Sequence, residues 1–168
     1  MDACIFWGGA DVNPELYGEK NTKSSIDRYQ DEADAALYKF AKSRNAACIG
    51  VCRGAQFLWV VSGGRLVQDL GIASHDLTHP VSGQSFTVNS FHHQGIVGDA
   101  EGIEILAMHK GVVEAYYGEN KDGVLVFGVQ WHPEYVKDGE EFRDWWKKRV
   151  DSILGEEGRV LNAGYEAL

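Results

Sequence analysis

The sequence predicts an α/β domain, a mostly parallel sheet flanked by helices with some antiparallel strands. Three observations predict it. Residues 46–51, Ala-Ala-Cys-Ile-Gly-Val, are a short apolar run of the kind that a strand buried on both faces requires. Helical patterns precede and follow that run, which is the rhythm of parallel strands joined by helices. Further along, several β-rich runs lie close together, as antiparallel neighbours do.

The elements follow in order. Cys4-Ile5-Phe6-Trp7 is the expected first strand. Within 31–44, Ala33, Ala36, Leu37, Phe40 and Ala41 recur at helical spacing and predict one apolar helix face. Residues 55–61 predict a second helix, stopped by Gly63-Gly64. Residues 71–84, with Gly, Ser, His and one Pro, read as loop. Strands are expected at 86–88, 103–107, 112–116 and 124–129. Residues 139–154 predict an amphipathic helix with Phe142, Trp145, Trp146, Arg149, Val150 and Ile153 along one stripe, ended by Gly155. Residues 156–168 read as a loosely attached tail. No repeat or linker divides the chain, so 1–168 is expected to be a single domain.

Composition narrows the function. Apolar residues make up 44% of the 168 and aromatics 11%, enough for a packed core and against disorder. No apolar run approaches the roughly 18 residues of a membrane span, and the N-terminus lacks the basic start of a signal peptide. The net charge of −9 makes nucleic acid and membrane surfaces poor partners. Cys4, Cys48 and Cys52 are odd in number and form no Cys-x-x-Cys pair, which supports neither a disulfide framework nor a cysteine zinc site. A reduced, cytoplasmic setting is expected. His75, His79 and His109 match no familiar ligand spacing and read as surface or loop histidines, so neither metal nor cofactor is expected.

The sharpest chemical feature is Gly50-Val51-Cys52-Arg53-Gly54, on the boundary between the buried strand and the helix after it. A strand that turns abruptly into a helix, with glycine on both sides of a nucleophile, is a nucleophile elbow. Such a turn lifts the sulfur above the sheet and aims a helix N-terminus at it, which favours thiolate. Taken alone, the pattern also fits a buried structural cysteine. A base is offered by Gln130-Trp131-His132-Pro133-Glu134, which follows the strand at 124–129. Pro133 favours extended chain at His132, and in extended chain residues i and i+2 share a side. Glu134 is thereby placed to hold the His132 ring and leave its other nitrogen for Cys52. Alone, His-Pro-Glu is equally a strand-end histidine with a surface glutamate.

Together, Gly-Val-Cys-Arg-Gly-Ala-Gln at 50–56 and Gly-Val-Gln-Trp-His-Pro-Glu at 128–134 resemble the class I glutamine amidotransferases that carry a Cys-His-Glu triad. The stretch Gly-Gly-Ala-Asp-Val-Asn-Pro-Glu-Leu-Tyr-Gly-Glu at 8–19 resembles the gamma-glutamyl-gamma-aminobutyrate hydrolase branch. So do 62–70, 79–81 and 88–94. The resemblance covers about residues 5–150. It implies a class I glutamine amidotransferase-like, flavodoxin-like domain and a γ-glutamyl amide as small-molecule substrate. It further implies Cys52 as nucleophile, His132 as general base and acid, and Glu134 as the residue that orients it. The backbone N–H groups of Gly9 and Arg53 would form the oxyanion hole, with glycine required at position 9 for close approach to substrate. Gln56, Asn89, Ser90 and His92 would line the γ-glutamyl pocket. Two departures stand out. Trp7 occupies a position where that family usually has proline, and is expected to reshape the oxyanion loop. Relatives also carry a strand–helix–strand unit before this point. Its absence would leave apolar sheet face uncovered, so a homo-oligomer or a partner chain is expected. Two further functions remain open: a glutaminase subunit that feeds ammonia to a separate synthetase, and a non-catalytic binding or regulatory module of the same fold.

Overall fold

The computed structural model describes residues 1–71, 75–78, 85–135, 140–155 and 158–161. Along the chain run β1 (Ala3–Phe6), α1 (Arg28–Ser43), β2 (Ala47–Val51), α2 (Arg53–Val61), β3 (Arg65–Val67), β4 (His75–Thr78) and β5 (Ser85–Val88). There follow β6 (Gly95–Val97), β7 (Ile103–His109), β8 (Val112–Glu119), β9 (Leu125–Val129), α3 (Glu140–Leu154) and β10 (Val160–Leu161). Short 3-10 turns occupy Pro14–Tyr17 and Pro133–Tyr135. The main sheet is mixed, in the order β10-β1-β2-β9-β8-β6-β3, with β7 paired to β8. Its parallel part is β10-β1-β2-β9, and the strands from β8 outward are antiparallel.

The alternation of side chains along the parallel strands explains the two-faced core. Cys4, Phe6, Cys48 and Val126 point to one face, where Leu37 and Tyr38 of α1 and Phe57 and Leu58 of α2 cover them. Ala3, Ile49, Val51 and Phe127 point to the other, against Trp145, Trp146, Val150 and Ile153 of α3. Strand β2 is buried at all five positions, as a strand with helices on both faces must be. The expected fold class is therefore the one present.

Several elements depart from expectation. Helix α1 begins earlier than residue 31, because the Asp27 carboxylate caps the N–H groups of Tyr29 and Gln30. Its buried stripe is Asp31, Leu37, Tyr38 and Ala41, while Ala36 and Phe40 face solvent. Arg53 draws two carboxylates of this helix inward and so rotates the stripe away from the purely apolar one. Within 71–84, read as loop, residues 75–78 form β4 and pair with β5 in the register His75↔Val88 and Leu77↔Phe86. The Thr87 hydroxyl donates to Asp76 across that pair. His75 is accordingly buried rather than a surface histidine, and its ring stacks on that of His109 at 4.0 Å. His79 lies outside the described residues. Val160–Leu161, inside the expected loose tail, are tied to the sheet as β10, parallel to β1; 156–157 and 162–168 lie outside the described residues.

Candidate active site

The site forms at the C-terminal ends of β2 and β9, the edge where open α/β sheets bind ligands. In register, Val51 lies opposite Val129, and the Cys52 N–H donates to the Val129 carbonyl at 2.8 Å. The residues that follow each strand therefore emerge as neighbours.

Cys52 sits on the sharp turn between β2 and α2, with φ 54° and ψ −116°. A backbone in such a sparsely populated region costs on the order of 1–3 kcal/mol and is held only by its surroundings. The flanking glycines are part of that restraint. A Cβ on Gly54 would stand 2.0 Å from the Phe6 carbonyl oxygen, and one on Gly50 would stand 2.6 Å from Ala55 backbone. Cys52 is 6% exposed. Burial pushes its thiol up to about 11. The Arg53 backbone N–H pulls the other way, and the charges of Glu134, Asp11 and Glu114 add to the rise. The expectation that the helix N-terminus holds a resting thiolate is thus corrected: desolvation outweighs the helix terminus.

His132 is fixed on three sides. Its N–H and C=O both bond the Asn89 side-chain amide. Its Nδ1 lies 2.8 Å from Glu134 Oε1. Glu134 reaches it from the 3-10 turn Pro133–Tyr135, closed by Tyr135 N–H on the His132 carbonyl, and not from extended chain as expected. Proline at the first position of a tight helical turn accounts for the difference. The far edge of the ring approaches Gly8. A methyl group on Gly8 would meet His132 Cε1 at 3.1 Å, His132 Nε2 at 3.4 Å and Cys52 Cβ at 3.7 Å. Imidazole and thiol side chain thus border one small space beside Gly8.

Cys52 also borders a cavity of about 260 Å³, together with Gly9, Arg53, Gln56 and His92. Asp11 and His93 form its rim, joined by a 2.8 Å contact. A Cβ on Gly9 would stand 2.1 Å from the Gln30 amide oxygen, the mobile end of that side chain. Gln30 also accepts from Ala10 N–H and donates to the Gly8 carbonyl, which sets the loop after β1. This clamp lies where a side chain at position 9 would point. The Arg53 guanidinium pairs with Asp31 at 2.6 Å and with Asp34. The Arg53 backbone N–H acts on the thiol. Burial raises both carboxyls, and the guanidinium opposes the rise.

Gln56 is buried, and its amide donates to the Gln94 carbonyl at 2.8 Å and to Gln130 Oε1 at 3.1 Å. His92 is buried, with Nδ1 on the same Gln94 carbonyl. Burial lowers its readiness to take a second proton. Asn89 and Ser90 do not border this cavity: Asn89 holds His132, and the Ser90 hydroxyl lies 3.4 Å from His92 Nε2. Trp7, 59% exposed, stands on the other side of the loop, against an apolar hollow beneath α3. Sequence reasoning missed Gln30, Gln94, Gln130 and Glu114. Only the unusual placement of Glu114 between Val113 and Ala115 in an apolar strand offered a signal. Among the described residues no cluster of His, Cys, Asp or Glu could hold a metal ion, and no helix is long and apolar enough to cross a membrane.

The architecture is that of the glutamine amidotransferases. A "putative gmp synthase subunit a protein" of Thermoplasma acidophilum superposes with a TM-score of 0.63 at 19% identity, over 89% of this chain and 71% of that one. A glutamine amido transferase of Methylobacillus flagellatus gives 0.52 at 14% identity, over 99% and 79%. The Peptidase C26 family model matches residues 1–84 and 75–134, and the chain belongs to that family. Its relatives include the "Putative glutamine amidotransferase-like protein YvdE" of Lactococcus lactis, 37% identical over 84% of this chain and 70% of that protein. The Gamma-glutamyl-gamma-aminobutyrate hydrolase PuuD of Escherichia coli is 30% identical over 75% of this chain and 61% of its own length. The chain thus spans about two thirds of the length of these relatives.

Proposed function

We propose that the protein hydrolyses a γ-glutamyl amide, either glutamine or a γ-glutamyl amine, with Cys52, His132 and Glu134 as its catalytic residues. The observation that carries the reading is the His132 ring, held by Glu134 at Nδ1 while its Nε2 edge and the Cys52 side chain both approach Gly8. Family membership supports the reaction class, and one relative is named for a γ-glutamyl substrate.

The chemistry follows from these positions. His132 Nε2 takes the thiol proton as Cys52 Sγ bonds the γ-carbonyl carbon. A base is required because the resting thiol is protonated. The carbonyl oxygen becomes an oxyanion facing the N–H groups of Gly9 and Arg53, donors worth roughly 3–4 kcal/mol in comparable sites. The C–N bond breaks, and His132 gives its proton to the leaving amine. Water then attacks the γ-glutamyl thioester and loses a proton to His132. The C–S bond breaks, glutamate leaves and the thiol is restored. Gln56 and His92 border the space for the glutamyl moiety, while Asn89 and Ser90 act on it through His132 and His92.

Glutamate release from glutamine and from γ-glutamyl-γ-aminobutyrate, with Cys52→Ser as control, tests the reading. No Cys52-dependent release from any γ-glutamyl compound overturns it. Burial of the thiol is the observation that favours a non-catalytic module instead. That reading requires a γ-glutamyl-directed electrophile to leave Cys52 unlabelled. A homo-oligomer belongs to the proposal as well. Its surface is the hollow of about 500 Å³ that Ile5, Trp7, Ile49, Val51, Trp146 and Val150 border. A monomeric mass by light scattering at working concentration overturns that part.

A further inference from the structure

Glu114, in the middle of β8, is fully buried, and among the described residues neither of its side-chain oxygens accepts a hydrogen bond. Among the described residues two imidazoles stand within 4.0 Å of it. His75 Nε2 lies 3.3 Å from Oε1, and His92 Nε2 lies 4.0 Å from Oε2. Among the described residues no Lys or Arg pairs with it. Because His92 Nδ1 faces the Gln94 carbonyl, that nitrogen carries the hydrogen, and Nε2 is the lone-pair side that meets Glu114 and the Ser90 hydroxyl. The titratable and charged groups around the cluster come from four directions. β4 supplies His75 and Asp76, β7 supplies His109 stacked on His75 with Lys110 beyond it, and the segment before β6 supplies His92. Cys52 lies on the cavity side, and the charge of His132 acts on His92.

A carboxylate buried without donors is costly, and an imidazolium beside it relieves the cost only if the pair shares its proton. One proton on the trio makes it neutral. That proton sits either on Glu114, with both rings neutral, or on a ring, with Glu114 ionised. A second proton would leave a buried cation, and loss of the first a buried anion. We propose that Glu114, His75 and His92 hold one proton in common, and that Glu114 is thereby a positioning residue that keeps a second negative charge away from Cys52 as its thiol ionises. The direction of the shifts agrees. Burial pushes Glu114 up to about 7 and His92 down, and the Glu114 charge is one of those that raise Cys52. The role rests on Cys52 as nucleophile; the shared proton does not.

The test needs no substrate. Histidine ring shifts and the Glu114 carboxyl carbon shift are followed by NMR against pH in the unaltered protein. Alkylation of Cys52 by iodoacetamide is followed by mass spectrometry in the unaltered protein and in Glu114→Gln. The expected result is one common midpoint at His75, His92 and Glu114, lost from the rings in Glu114→Gln. Above that midpoint the variant alkylates about three- to tenfold faster, a change of half to one pKa unit. Below it the two rates are equal. Rings that titrate independently, with Glu114 at the ordinary carboxyl value, overturn the shared proton, and they do so in the unaltered protein even if Glu114→Gln fails to fold. Equal alkylation rates at every pH overturn the role at Cys52. If both effects appear but no glutamate is released, the hydrolase reading falls and the shared proton stands.

Discussion

Asn89 grips the main chain of His132 with both ends of its side-chain amide: Nδ2 donates to the His132 carbonyl at 2.9 Å, and Oδ1 accepts from the His132 N–H at 3.0 Å. This pairing lies outside any strand ladder, so a side chain does for this histidine what a neighbouring strand does for the residues of β9.

Asn89→Ala removes both bonds at once. Leaving the two backbone groups without these partners is expected to destabilise the protein by about 1–3 kcal/mol in urea unfolding. In the proposed reaction kcat falls with little change in KM, because the base is displaced while the glutamyl contacts survive. A rise in KM alone would instead mark Asn89 as a substrate contact.

The elbow glycines and Gly9 separate two kinds of crowding. Gly54→Ala forces a methyl onto the Phe6 carbonyl, a backbone atom that cannot yield, and is expected to cost about 3 kcal/mol or more. Gly9→Ala meets only the amide end of Gln30. Its cost is expected to be largely removed by adding Gln30→Ala, a non-additivity that a double-mutant cycle on thermal unfolding reads directly.

Arg53→Met leaves Asp31 and Asp34 buried without their cation. A loss of about 3–5 kcal/mol is expected, far above that of removing an exposed pair such as Lys23–Asp69. Denaturant midpoints of the two variants, Arg53→Met and Lys23→Met, check the ranking.

Cys52 gives an alkaline signature. Its folded value of about 11 lies above the ordinary thiol value of 9.0, so the folded state holds the proton longer than the unfolded chain. The resulting stability is fully present below pH 9 and is lost as pH rises through about 11, on the order of 2 kcal/mol. Stability curves of the unaltered protein should therefore fall more steeply over that window than those of Cys52→Ser. The other buried thiols and tyrosines contribute to both curves and cancel in the difference.

Much of this was legible because it is local. The run at 46–51, the glycines on either side of Cys52 and the strand before His132 announce β2, the elbow and β9 by their own composition. His75-Asp76-Leu77-Thr78 was unreadable as a strand because a polar period of two, in four residues, is recognisable only once β5 lies beside it. The inward turn of Asp31 and Asp34 was hidden for the same reason: helix periodicity treats carboxylates as solvent-facing, and the cation that reverses this comes from a different helix. The roles of Gln30, Gln94 and Gln130 are long-range amide contacts, for which glutamine carries no signal of its own. The conformation of Glu134 was misread because Pro133 suits the start of a tight turn as well as it suits extended chain.

Gln94 has a consequence for how a ligand reaches the thiol. Its side chain bonds both the N–H and the carbonyl of Val12 and reaches the Ser24 hydroxyl, while its carbonyl receives Gln56 and His92. That seam fastens the 12–24 loop to the inner wall, so opening there would break several buried bonds together. The opposite margin carries the Phe91 ring, 68% exposed, and His93, whose ring pairs with Asp11 and Asp69. Bulk added at His93 is expected to slow the arrival of a ligand at the cavity, whereas bulk at Phe91 would also press on the His132 ring beside it.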